Sequence, residues 1–202
     1  MTTVAELPAG FADKVLSAQS TFRSVMDAMA RPGSVARIVA TTGAPAVMMR
    51  GSAAIGLTLF DHDTPIWLDR KMSETSDVKK WLKFHTGAPV IEDSSICHFA
   101  LIGDPGALPA LDRFAFGSNE YPDRSTTLII QVESLAQGPS FELRGPGIDG
   151  TAMVQATIQP LDLFERLEIN QTLFPRGIDV VLVAGDSVVA IPRTTRLVAK
   201  GG

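Results

Sequence analysis

The sequence predicts an α/β protein in which a mixed β-sheet is covered by helices. Three apolar runs rich in β-branched residues, at 126–132, 180–183 and 188–191, are typical of buried strands. Two amphipathic patterns of helical periodicity, at 13–30 and 75–85, stand among strand-like segments. Interleaved helices and strands, closed by a hairpin, therefore favour a mixed sheet.

In the first half of the chain, the order of predicted elements begins with a helix at 13–30. Its expected inward stripe consists of Val15, Ala18, Phe22, Val25 or Met26, and Met29. Pro32 and Gly33 end this helix, because proline lacks a donor and glycine accepts a left-handed turn. There follow a short strand at 34–39, a buried helix at 46–60, a strand at 65–68, a surface helix at 75–85, a strand at 96–102, and a turn into a short helix that ends near Phe114.

The second half of the chain is richer in strands. The run at 126–132 is expected to be buried on both faces, and residues 140–144 to return beside it. A helix is predicted from 160 to about 172. The runs at 180–183 and 188–191 flank Ala184-Gly185-Asp186-Ser187, a strong hairpin signal.

The composition is that of one ordinary globular chain, which we take as a single domain over residues 1–202. The chain is 45% hydrophobic and 20% charged, and its 202 residues suffice for one core without disulfides. Its formal net charge of −4 argues against nucleic-acid binding and against a polybasic membrane patch.

Several features favour a cytoplasmic location. The chain has a single cysteine, Cys97, so an internal disulfide is impossible and a reducing compartment is expected. The N-terminus shows no basic segment followed by an apolar stretch, so no signal peptide is predicted. The most apolar stretch, at 44–60, is shorter than a usual membrane span and contains Arg50.

The familiar catalytic motifs fail on physical grounds. Residues 145–150 match G-x-G-x-x-G, but a strand-like segment at 151–158 follows where a helix would have to begin, which favours a plain turn. The chain contains neither a P-loop motif nor a G-x-S-x-G elbow. Cys97 lies in an apolar run and is expected to be a small buried hydrophobe, and one cysteine with three scattered histidines predicts no zinc site.

Two segments in the first half of the chain carry polar residues that are candidates for a functional site. Asp61, His62 and Asp63 offer two carboxylates beside an imidazole, suited to general base chemistry or a hard metal. The alternative is a turn in which the carboxylates cap backbone amides. His85 ends the helix at 75–85, where a favourable interaction with the last carbonyls is the favoured explanation and a binding role is the alternative.

Two further candidate loops lie beside the predicted hairpin. Arg176 can hold a phosphate or phosphonate in a bidentate manner, with Asp179 as its pairing partner. Arg193, Thr194 and Thr195, followed by another arginine, make a plausible oxyanion-binding turn. A surface salt bridge or a loop that binds a partner protein is the alternative for this turn, and both interpretations stay open.

Six blocks, in order, resemble the PhnH subunit of the bacterial carbon–phosphorus lyase system, which breaks down phosphonates. The resemblance covers nearly the whole chain, and it is weaker at 107–120 and 155–171. The blocks are 22–33 (FRSVMDAMARPG), 57–68 (LTLFDHDTPIWL), 84–89 (FHTGAP), 125–132 (STTLIIQV), 174–183 (FPRGIDVVLV) and 190–195 (AIPRTT).

The resemblance implies a homodimer that joins partner subunits G, I and J in a core complex. With G and I, such a subunit supports the transfer of a phosphonate to the anomeric carbon of ATP with release of adenine, which gives a ribose 1-phosphonate 5-triphosphate. ATP and phosphonate are substrates of the whole complex. The implied fold is similar to the large domain of pyridoxal-phosphate-dependent transferases, and no catalytic residue carries over from the family.

Two other hypotheses compete with the first one, which is that the chain is a partner subunit and is not catalytic alone. A free-standing enzyme would bind a phosphonate or nucleotide through His62, Arg176 and Arg193. A pyridoxal-phosphate enzyme would need a Schiff-base lysine. Of the six lysines, only Lys71 is expected in a loop within the chain, and nothing marks it as reactive, so we expect no cofactor.

Overall fold

The structure is a computed structural model that describes residues 7–39, 43–158 and 162–198. Its helices are α1 (Lys14–Ala30), α2 (Arg50–Leu59), α3 (Arg70–Ser73), α4 (Ser76–Thr86) and α5 (Leu163–Gln171). Its strands are β1 (Ala36–Arg37), β2 (Ile66–Leu68), β3 (Val90–Ile91), β4 (Phe99–Ile102), β5 (Thr127–Gln131), β6 (Ser140–Arg144), β7 (Ala152–Gln155), β8 (Asp179–Ala184), β9 (Ser187–Ile191) and β10 (Arg196–Val198).

A seven-stranded mixed sheet forms the centre of the molecule, as predicted. Its strand order is β1-β9-β8-β5-β4-β2-β3. The five strands from β8 to β3 are parallel, and β9 runs antiparallel to both β8 and β1. The hairpin of β8 and β9 turns at Gly185, whose φ of +63° suits glycine. A separate antiparallel sheet has the order β10-β6-β7.

Both faces of the large sheet are buried. In β5, Ile129 packs into the cluster that contains the apolar residues of α1, α2 and α4. Its neighbours Leu128 and Ile130 pack on the opposite face, against the small sheet and α5. This alternation confirms that residues 126–132 are buried on both sides, with only Thr127 partly exposed.

The prediction that residues 140–144 return beside that run is wrong. These residues form β6, which pairs with β7 and β10 in the small sheet. The physical reason is the alternation of Ser140, Glu142 and Arg144 with apolar residues, because polar side chains on one face cannot be accommodated in a sheet that is buried on both.

The long first helix is confirmed, but its expected inward stripe is only partly right. Asp13 caps α1 by accepting hydrogen bonds from the amides of Val15 and Leu16. Val15, Phe22 and Met26 are 64%, 48% and 49% exposed. The helix instead packs on α2 and β9 through a stripe of compact side chains, which lets it approach its neighbours closely. The buried residues of this stripe are Thr21, Val25 and Ala28.

Other boundaries differ from the predictions. The buried helix begins at Arg50 rather than at 46, because the amide of Met49 is held by the Gln131 side chain. The strand predicted at 96–102 begins at Phe99, and Cys97 follows a short 3-10 turn. Two further 3-10 turns replace the short helix before Phe114. Lys71 lies in α3 rather than in a loop, and part of the helix predicted from 160 lies outside the described residues.

Asp69 organises the carboxyl edge of the sheet. From β2 the chain adds β3 on one side and then β4 on the other, which places a topological switch point between β2 and β4. The buried Asp69 carboxylate accepts hydrogen bonds from the amides of Met72, Gly103 and Asp104, at 2.8–2.9 Å. Burial raises the pKa of Asp69, and the three amide bonds oppose this shift. The backbone amides at this switch point are thus hydrogen-bonded to the protein's own carboxylate.

We expect Asp69→Ala to destabilise the chain by about 3 kcal/mol, because it leaves three buried amides without an acceptor. Asp69→Asn keeps one acceptor oxygen and should cost less. Asp93→Ala is the matched control, since Asp93 is exposed and caps only the turn at Ser95. Urea unfolding of the three variants measures the difference, and equal losses for Asp69→Ala and Asp93→Ala would contradict the role of Asp69.

Candidate functional site

The candidate loops lie along one edge of the large sheet but on separate strands. Residues 61–63 precede β2, Asp179 begins β8, and Arg193 follows the antiparallel β9. All of them are therefore at the amino edge of the parallel strands, opposite the edge that α/β proteins usually use for ligands. Two strands separate β2 from β8, which corresponds to about 14 Å at the usual strand spacing.

The loop at 61–63 is a capped turn. Asp61 Oδ1 accepts hydrogen bonds from the Thr64 hydroxyl at 2.6 Å and from the Asp63 amide at 3.0 Å. The Thr64 hydroxyl, and then the Asp63 amide, lower the pKa of Asp61. His62 Nε2 lies 3.2 Å from Asp63 Oδ2, and these side chains are 80% and 84% exposed. This geometry is that of the capping alternative, with an imidazole at the surface.

His85 lies beside this turn and holds the N-terminal segment. Its Nε2 is 3.1 Å from the carbonyl oxygen of Pro8, which also accepts from Trp81 Nε1 at 2.8 Å. The helix ends at Gly87 with a φ of +74°, and a Cβ on Gly87 would lie 3.7 Å from His62 Cβ. The structure thus places the loop that carries His62 next to the end of α4, the helix that carries His85.

Arg193 and Asp179 form a nearly buried ion pair, with side chains 15% and 13% exposed. The guanidinium is bidentate on the carboxylate, through Nε to Oδ1 at 3.2 Å and through a terminal nitrogen to Oδ2. The backbone amide of Arg193 also donates to Asp179 Oδ1 at 2.8 Å, and the other terminal nitrogen donates to the carbonyl of Pro122. The Arg193 guanidinium is therefore committed to the protein itself.

The expected pairing of Arg176 with Asp179 is wrong. Val180 faces Ile191 across the hairpin, so the residue after Pro192 reaches Asp179 from the neighbouring strand. Arg176 precedes the turn at Gly177, is exposed, and makes no side-chain hydrogen bond or ion pair with the part of the chain that the structure describes.

The loop after β9 lines a solvent-open cavity of about 400 Å³, beside the small sheet and the end of α5. We call it the arginine cavity. Within the small sheet, Arg196 of β10 lies directly opposite Arg144 of β6. Arg144 pairs with Glu142 at 2.7 Å. The cavity is lined by Arg144, Gly145, Pro146, Gln171, Phe174, Arg193, Thr194 and Arg196.

The two threonines of this loop differ in position. Thr194 lines the arginine cavity. Thr195 is 2% exposed, its amide donates to the Pro192 carbonyl at 2.9 Å, and its hydroxyl has no hydrogen-bond partner within the described residues. The predicted oxyanion-binding turn thus joins a cavity, whereas residues 61–63 and His85 lie apart from it.

Part of this cavity has no local signal in the sequence. Arg144 of β6 and Gln171 of α5 are brought to it only by the tertiary fold, whereas Phe174 lies in the block at 174–183. The turn at 145–150 was correctly predicted not to begin a helix, since β7 follows it. The same turn lines the cavity through Gly145, where a Cβ would lie 3.0 Å from the Thr194 carbonyl oxygen.

The remaining reactive groups are bound within the fold. Cys97 is 1% exposed and its thiol donates to the Ser94 carbonyl; burial raises the pKa of this thiol, which disfavours the thiolate. Lys71 Nζ donates to the Gly103 carbonyl at 2.9 Å. Over residues 7–39, 43–158 and 162–198, no three His, Cys, Asp or Glu side chains are placed to hold a metal ion. None of the described helices is both long and apolar enough to span a membrane.

Fold and site together define a mixed-sheet α/β protein with a cationic cavity at its amino edge. The family model of the bacterial phosphonate metabolism protein PhnH matches residues 9–198, and the chain belongs to this family. It is 44% identical over 198 residues to the alpha-D-ribose 1-methylphosphonate 5-triphosphate synthase subunit PhnH of Rhizobium meliloti (strain 1021), with 98% of each chain covered. It is also 30% identical to the putative C-P lyase subunit protein HtxG of Stutzerimonas stutzeri, over 99% of this chain and 97% of that protein. The expected family is confirmed, and with it a role in phosphonate metabolism.

The Arg193–Asp179 pair is expected to contribute to stability as a unit. Arg193→Ala or Asp179→Ala alone should cost about 3 kcal/mol, because each leaves the other charge buried without its partner. The double variant should cost clearly less than the sum of the two single losses. Arg37 and Asp186, an ion pair at 3.0 Å whose arginine is 82% exposed, are the matched control and should contribute less than about 1 kcal/mol. Urea unfolding measures both cycles, and additive losses at Arg193 and Asp179 would show that they do not act together.

Proposed function

We propose that the chain is a subunit of a ribose 1-phosphonate 5-triphosphate synthase that works only with partner subunits G and I. In this reaction a phosphonate oxygen attacks C1′ of the ATP ribose, the glycosidic bond breaks, and adenine leaves with a proton. The observation that carries the proposal is the similarity to a synthase subunit over 98% of both chains.

The arrangement of side chains supports a need for partners. Departure of adenine requires a proton donor near the base, and such a group works within hydrogen-bond reach of the reacting atoms. The residues that line the arginine cavity include three arginines but no histidine or carboxylic acid. The exposed His62 lies on the capped turn, apart from that cavity. We infer that another subunit supplies the acid.

We also propose the finer points that the family resemblance implies. The chain forms a homodimer, and the core complex includes subunit J. The fold is related to the large domain of pyridoxal-phosphate-dependent transferases, which the mixed seven-stranded sheet supports. The chain needs no pyridoxal phosphate, and the bond between Lys71 Nζ and the Gly103 carbonyl supports this.

A free-standing enzyme is the second candidate function. The size of the arginine cavity favours it, since about 400 Å³ lies within the range of small-molecule sites. It differs from the first candidate in one measurable respect, because it predicts turnover by the chain alone.

Reconstitution from separately purified subunits tests the proposal. With ATP and methylphosphonate, we expect adenine release from the mixture of this chain with G and I, and none from the chain alone or from G and I without it. Chromatography of adenine measures the reaction, and omission of methylphosphonate controls for plain hydrolysis. Turnover by the chain alone would support the free-standing enzyme instead. Full activity without the chain would show that it is not required.

A further inference from the structure

We propose that the arginine cavity binds the triphosphate group of a nucleotide or of a ribose triphosphate. This inference rests on the proposed function for the identity of the ligand. The cavity itself is defined by residues of β6, α5, the loop after β9 and β10.

The balance of charge in the cavity favours an anion. Arg193 is neutralised by Asp179 and Arg144 by Glu142, whereas Arg196 makes no ion pair with any described residue. Like charges directly opposite one another on paired strands are destabilising, and Arg196 faces Arg144 in this way. A polyanion between the two guanidiniums would remove the repulsion between Arg144 and Arg196. It would also accept hydrogen bonds from several of their N–H groups.

A hydroxyl donor adjoins the same charges. Thr194 lines the cavity next to Arg193, and neither its hydroxyl nor its amide bonds to any described residue. The buried Thr195, by contrast, does not line the cavity. Arginines combined with threonine hydroxyls are a common set of donors for phosphate oxygens.

The dimensions of the cavity favour a triphosphate over a single phosphonate. About 400 Å³ exceeds what one tetrahedral anion fills, and the three arginines enter from β6, from the loop after β9 and from β10. The Phe174 side chain, 62% exposed, adds an apolar wall against which a sugar or base can pack. Because Asp179 already binds the Arg193 guanidinium, Arg193 is a positioning residue that shapes the loop, and it is not the main anion ligand.

Calorimetric titration of the full chain with tripolyphosphate, ATP and methylphosphonate tests the proposal. We expect tripolyphosphate and ATP to bind, with methylphosphonate at least tenfold weaker. Arg196→Ala should weaken tripolyphosphate binding at least tenfold, and Arg196→Lys should restore part of it. Thr194→Val, which removes the hydroxyl that lines the cavity and keeps the shape, should weaken binding severalfold.

Arg70→Ala is the matched control, because it removes one exposed guanidinium that pairs with Glu74 and does not line the cavity. Tripolyphosphate binding by this variant should be unchanged. Circular dichroism establishes that each variant is folded. Absence of tripolyphosphate binding would overturn the proposal, as would equal losses in Arg70→Ala and Arg196→Ala or tighter binding of methylphosphonate. Since this experiment uses the chain without partners, its failure is distinguishable from failure of the reconstituted reaction.

Discussion

The ion pair between Arg193 and Asp179 is the interaction on which the amino edge of the molecule depends. It joins the end of β9 to the start of β8, and it reaches the Pro122 carbonyl ahead of β5. The chain after Arg193 therefore leaves the large sheet in a fixed direction and enters the small sheet as β10. Because β10 pairs with β6, the same contact determines where Arg196 meets Arg144.

Buried polar side chains organise the opposite edge of the sheet. At the carboxyl edge, Asp69 fills the switch point with bonds to three amides, and Gln131 binds the backbone of residues 47 and 49. Side chains of the protein thus satisfy the groups that a ligand would otherwise use there. The small sheet, which a doubly wound fold does not require, provides a cavity at the other edge.

Much of the fold could be predicted from the sequence, and the failures have physical causes. The β8–β9 hairpin and the buried strand at 127–131 were predictable because local periodicity and turn residues determine them. The pairing of β6 with β7 and β10 was not predictable, because long-range packing decides which strands pair. The stripe of α1 was misjudged because the helix buries Thr21 and Ala28, and leaves Phe22 exposed.

The candidate site likewise has parts that the sequence indicates and parts that only the tertiary fold brings together. The loop at 192–196 was recognised from its arginines and threonines, and the turn at 61–63 from its capping residues. Closeness along the chain favours Arg176 as the partner of Asp179, whereas the register of the hairpin places Arg193 there. Arg144 and Gln171 lacked any local signal, since only the tertiary fold brings them to the cavity.

Amide hydrogen exchange of Asp179→Asn tests most directly whether one ion pair organises this edge. The variant keeps the shape of the side chain and removes its charge. We expect faster exchange in residues 193–197 and 144–147, while β4 and β5 keep the protection of the unaltered chain. Unchanged protection of the two cavity segments, or an equal loss throughout the sheet, would contradict the account.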